Sequence, residues 1–207
     1  MKIYSLFFLL LQTLTNPPSI SAVQIPRVRF EREIGVPYTL QIMKTINYFI
    51  WDIFKQYNDT DRNPVETVHV NIREYDGAEA ITSGYQGNLK WEFTSLLHHE
   101  LTHVFQWTGE WKAPIGLIEG MADYMILKSN YYPPAFAKPG MGDKWDQGYD
   151  FTARFLEYCE DLRSGFVAEL NRKMKKDYSD EFFVELMGKP VGQLWSEYKA
   201  KYWNISN

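Results

Sequence analysis

The stretch Glu92-Phe93-Thr94-Ser95-Leu96-Leu97-His98-His99-Glu100-Leu101-Thr102-His103-Val104-Phe105-Gln106-Trp107-Thr108 decides how this chain is read. Phe93, Leu96, Leu97, Leu101, Val104 and Phe105 recur at helical spacing, which predicts an amphipathic helix over 92–108 with Gly109 placed to stop it. The chain has four histidines, and His98, His99 and His103 all fall in this one helix. His99-Glu100-Leu101-Thr102-His103 has the form H-E-x-x-H. On a helix that spacing stacks the two imidazoles one turn apart on one face, where both can ligate one Zn²⁺. Glu100 is rotated by about 100° from His99, so it flanks the metal and can reach a water bound there as a general base. His98 is rotated by about the same angle the other way and reads as a flanking residue.

Two histidines do not complete a catalytic zinc site, so a third ligand is needed. Sixteen residues beyond His103 comes Glu119-Gly120-Met121-Ala122-Asp123, with apolar flanks on a second predicted helix, 115–128. The i, i+4 spacing puts Glu119 and Asp123 on one face, as a carboxylate ligand and a carboxylate that orients a histidine. Acids among Ile115, Leu117, Ile118, Met121, Ala122, Met125 and Ile126 are costly unless they have such partners. A metzincin site would need Gly and His at the third and sixth positions after His103. Gln106 and Gly109 stand there, which removes that subclass.

Working outward, Leu40, Met43, Ile46, Ile50, Ile53 and Phe54 predict a long amphipathic helix before the polar run to Pro64. From Val65 to Ile72 the period changes to 2, with Val68, Val70 and Ile72 on one face and Thr67, His69 and Asn71 on the wet one, which predicts a strand turned by Asp76-Gly77. His69 is thereby placed at the surface. Beyond a Pro- and Gly-rich loop over 129–143, helices are expected near 145–162, 165–175, 180–187 and 190–202. A small amino-terminal strand layer followed by a mainly helical half is an α+β arrangement.

The chain of 207 residues has room for one domain, and 45% hydrophobic residues supply a core without disorder-type bias. A net charge of −4 gives no electrostatic basis for binding nucleic-acid phosphate or an anionic membrane surface. Residues 1–22 read as a signal peptide: Lys2, an apolar run from Leu6 to Leu11, and Ser19-Ile20-Ser21-Ala22 as the cleavage region. That leaves 23–207 as the mature domain, secreted, with no membrane span. Cys159 is the one cysteine, so no intrachain disulfide is possible, and it reads as a buried apolar residue. Asn58-Asp59-Thr60 and Asn204-Ile205-Ser206 are glycosylation sequons suited to a secreted chain. Trp107 and Trp111 straddle the helix end, as core packing or as the wall of a substrate pocket.

The blocks His99 to Trp107, Gly116 to Tyr124 and Lys144 to Leu156 resemble the plant basic secretory proteins, a zincin-like family of secreted metalloproteases. The likeness continues through Gly165 to Asn171 and Gln193-Leu194-Trp195, and upstream through Arg29-Phe30 and Phe49-Ile50-Trp51, so it covers nearly the whole mature chain. It implies a zincin-like fold and hydrolysis of peptide bonds at Zn²⁺, with His99, His103 and Glu119 as ligands, Glu100 as base and Asp123 behind a histidine. Tyr149 is the candidate donor to the developing oxyanion, against the alternative of a packed aromatic. A peptide or protein is the expected substrate, the chain is expected to be a monomer, and a plant source would place it in the apoplast with a role in defence. Unlike its namesakes the chain is acidic. It is also shorter than the family's usual length between Ala78 and Tyr85, where only Glu79 to Ser83 remain. In zincins that place in the chain order carries the edge strand that holds substrate backbone. The alternative reading is therefore a secreted defence or binding protein that keeps the zinc but turns over little.

Overall fold

A computed structural model describes residues 19–20, 34–65, 68–70 and 88–202. Its helices are α1 (Gly35–Ile53), α2 (Leu89–Phe105), α3 (Ile115–Lys128), α4 (Tyr149–Leu162), α5 (Phe166–Lys173), α6 (Glu181–Met187) and α7 (Val191–Tyr202). Among the described residues the expected strand layer is not found, and the α+β expectation is corrected to a mostly helical architecture. The extended pairing among the described residues is β1 (Ser19–Ile20) beside β2 (His69–Val70), parallel and two residues long. Two residue pairs offer only a few ladder bonds and no face broad enough to cover a core, so helix-on-helix packing does that work. Of the strand expected over 65–72, β2 takes up His69 and Val70, while 66–67 and 71–87, with the stretch Glu79 to Ser83, lie outside the described residues.

The core is layered around α3. Ten of its residues are buried, from Leu117 to Leu127 with only Glu119 as an interruption. A helix that is apolar nearly all round must be enclosed on all sides. α2 lies on one side, contributing Phe93, Leu97 and Leu101, and α4 on another with Phe155, Leu156 and Cys159. α1 closes over α2 through Ile46 and Ile50, while Phe166, Leu170, Phe183, Leu194 and Tyr198 bring α5, α6 and α7 into the same cluster. Phe155 is ringed by Tyr158, Phe183, Trp195 and Tyr198. Truncating such a buried ring costs about 3–5 kcal/mol.

A notch on α3 sets how close α4 comes. Gly116 and Gly120 lie one turn apart; a Cβ on Gly116 would run into the carbonyl of Asp146, and one on Gly120 into the side chain of Thr152. Thr152 sits in the notch with its hydroxyl donating to the Trp145 carbonyl at 2.8 Å and accepting from the Gly148 N–H at 2.9 Å, which closes the start of α4. The loop before α4 is pinned from the far side. Lys199 donates to the carbonyls of Gly140 and Gly142, and the Gly140 N–H donates to the Tyr198 hydroxyl.

α2 ends at Phe105, short of the expected Thr108, because side chains from elsewhere take its terminal groups. Gln56 Nε2 donates to the Phe105 carbonyl and Asn63 Nδ2 to that of Val104. The Trp107 N–H then donates to Asn171 Oδ1 at 2.8 Å, turning the chain toward α5. Trp107 packs against the core, whereas Trp111 is exposed. Among the described residues no helix is long and apolar enough to cross a membrane.

Candidate metal centre

α2 presents His99 and His103 toward α3. Their rings meet edge to face with centroids 4.6 Å apart, and the two Nε2 atoms are 3.0 Å apart. Glu119, one turn into α3, brings Oε2 to 3.2 Å from His99 Nε2 and 3.8 Å from His103 Nε2. These three residues form a group able to hold a metal ion. Ligands about 2.0–2.1 Å from a tetrahedral zinc stand about 3.3 Å from one another, and the three separations bracket that value. Two imidazoles and one carboxylate are also the donor set of a catalytic zinc, so the residues fit the ion.

Behind these three residues lie further hydrogen-bond partners. Asp123 Oδ1 is 2.7 Å from His99 Nδ1, so the carboxylate accepts from the Nδ1–H and leaves Nε2 facing the ligand group. Gln106 reaches Nδ1 of His103 at 2.8 Å with its amide. Sequence reading placed Asp123 next to a histidine without saying which, and used Gln106 only to exclude the metzincins. The available signal was its i, i+3 offset from His103, which puts both on one helical face.

Electrostatics follow from crowding three carboxylates and two imidazoles into a half-dry space. Burial opposes a charge on His99, yet its hydrogen bonds to Asp123 and Glu119, with the charges of Asp123 and Glu100, raise its pKa to about 10. Burial and the neighbouring cationic His99 push His103 down to about 3, against the pull of Glu119. Burial also opposes ionisation of Glu119, but the His99 hydrogen bond and both imidazoles hold it below the usual carboxylate range. Glu100 is 5% exposed, and burial raises its pKa, helped by Glu119 and countered by His99. Between the two rings, protonation thus favours His99 over His103.

Tyr149 stands at the mouth of the site, 43% exposed, its ring stacked over His99 with centroids 6.1 Å apart and planes 13° from parallel. It reaches this place through two consecutive positive-φ residues, Gly148 at 102° and Tyr149 at 48°. A tyrosine with φ in that region is strained, which the Thr152 cap and the α3 notch sustain. Burial, with the charges of Glu119, Asp123 and Glu100, raises the phenol's pKa, so the hydroxyl stays protonated and able to donate at neutral pH.

The other sequence candidates fall elsewhere. His98 is turned away, its Nδ1–H donating to the Thr94 carbonyl at 2.8 Å and its ring stacked on Tyr131. Cys159 is buried, and burial lifts its thiol pKa beyond reach at neutral pH. Asn58 is exposed, whereas Asn204 lies outside the described residues.

The described fold and site are those of a mostly helical protein with a His₂Glu group that could hold a metal ion, and comparison with known proteins assigns the family. The family described as peptidase of plants and bacteria matches residues 24–88 and 79–198, and the chain belongs to it. The two matches overlap at 79–88. A relative named basic secretory protease, from Boswellia serrata, is 49% identical over 59 residues, which are 28% of this chain and 67% of that protein. No solved structure gives a significant match.

Proposed function

We propose that the chain is a secreted zinc peptidase that hydrolyses peptide bonds. One observation carries the reading: His99, His103 and Glu119 converge from two helices to zinc-ligand separations with Glu100 buried at their side. Zinc there would supply Lewis acidity, polarising a carbonyl and lowering the pKa of a water toward ~7. Glu100 takes the proton of the attacking water and returns it to the leaving amine. Its raised pKa brings it nearer the operating pH, as a group that must both accept and donate requires. Asp123 holds His99, and the Tyr149 hydroxyl donates to the oxyanion that develops on the carbonyl. Secretion rests on the signal-like segment 1–22 and on the name of the Boswellia relative.

The test is metal content beside casein hydrolysis, with and without chelator, for three chains. Wild type should hold one zinc and lose activity to chelator. Glu119→Ala should lose the metal. Glu100→Ala should keep it and lose about 10²–10⁴-fold in turnover. Equal zinc in wild type and Glu119→Ala sinks the ligand set; full activity in Glu100→Ala sinks the base. Chelator-sensitive zinc with no turnover in wild type would instead favour the binding-protein alternative.

A further inference from the structure

We propose that Gln106 is a positioning residue for His103: its amide carbonyl accepts from the Nδ1–H of that ring and so keeps the Nε2 lone pair on the metal group. The inference rests on the zinc-site reading above but concerns a residue that the H-E-x-x-H pattern does not contain.

The amide lies 2.8 Å from His103 Nδ1, and Gln106 is 1% exposed, so water does not compete for either partner. The amide nitrogen faces the ring and Oε1 is buried without a partner, but a half-turn about the last side-chain bond exchanges the two atoms in the same volume. Either orientation leaves one amide atom unpaired, so the chemistry of the ring decides between them. If the NH₂ donates to Nδ1, that nitrogen must be bare and the ring's hydrogen must sit on Nε2. It would then point at His99 Nε2, 3.0 Å away, and block ligation. If the carbonyl faces Nδ1, the hydrogen stays on Nδ1. Nε2 is then free to accept from His99 in the metal-free chain and to ligate when metal binds. Only the second arrangement serves both states.

The choice of an amide fits its surroundings. His99 already leans on Asp123, and Glu100 and Glu119 add two further carboxylates. A neutral acceptor orients the second histidine without a fourth negative charge in a buried site.

Three chains and two readouts test this. Zinc affinity is measured by chelator competition, and the ring tautomer of His103 by ¹⁵N NMR of the metal-free protein, which judges the hydrogen bond whether or not zinc binds. Gln106→Met keeps the volume but has no acceptor; it should weaken zinc by about 10–100-fold and let the Nε2–H tautomer of His103 appear. Gln106→Glu restores an acceptor and should bring affinity back to within tenfold of wild type, with Nδ1–H retained. A Gln106→Met chain with wild-type affinity and tautomer overturns the proposal, as does a weakened Gln106→Met that Gln106→Glu fails to rescue, since packing alone would then explain the loss. If wild type itself does not bind zinc while the tautomer shifts as expected, the zinc reading falls and the hydrogen bond stands.

Discussion

α2 and the α3–α4 pair contribute to the metal centre in opposite ways. α2 needs only its own geometry: His99 and His103 are one turn apart, and any helix over those residues would stack them. The α3–α4 pair supplies Glu119, Asp123 and Tyr149, none of which is near the histidines in sequence, and it does so through a close approach that Gly116 and Gly120 permit. Local spacing provides the donors that sequence motifs record. Packing provides the charge, the orientation and the open face.

This contrast can be broken at several points. If the α3–α4 pair contributes chemistry as well as support, Tyr149→Phe should lower turnover by about 10²–10³-fold, the range for loss of one oxyanion donor, with zinc affinity unchanged. Unchanged turnover would reduce Tyr149 to a packed ring. Filling the notch with Gly120→Val forces α4 off α3 and should cost about 1–3 kcal/mol in urea unfolding of the metal-free chain. It should also weaken zinc, although no ligand is altered; normal zinc affinity in this variant would show that Glu119 needs no such approach.

Asp123→Ala removes the acceptor behind His99 and should weaken zinc by about 10–100-fold while leaving the helices folded by circular dichroism. The smallest effect per step is with pH. In the metal-free chain the cluster holds a proton at His99 up to about pH 10, well above the ~6.5 of a free imidazole. That proton must leave before metal binds, so a raised pKa means stronger proton competition at lower pH. Zinc affinity should rise about tenfold per pH unit from 7 to 9 in chelator competition. A plateau above pH 7 would mean that Asp123 and Glu119 do not hold the proton, and Asp123→Ala should produce that plateau.

Most helices were legible because their apolar periods are long and their ends are marked. α3 was read as 115–128, the observed span, with Pro114 ahead of it; α6 and α7 follow Asp180 and Pro190 within one residue. α2 was misjudged at its carboxyl end, where Gln56, Asn63 and Asn171 take groups that local sequence leaves open. Within 65–72 the described extended pairing is His69–Val70, and the strand layer expected from that segment is where the sequence misled. Three alternating apolar residues carry little information, and whether such a segment builds a sheet depends on partners distant in the chain.

By itself the sequence determined which candidate residues share a face, since helical rotation alone sets His99 against His103 and Glu119 beside Asp123. The apolar flanks of α3 also marked Glu119 and Asp123 as acids in need of partners. Tertiary structure alone decided that Asp123 serves His99 and not His103, and that Tyr149 stacks over His99. Those pairings depend on how α3 lies against α2 and how closely α4 settles on α3, distances set by contacts between residues far apart in the chain, which no local spacing records.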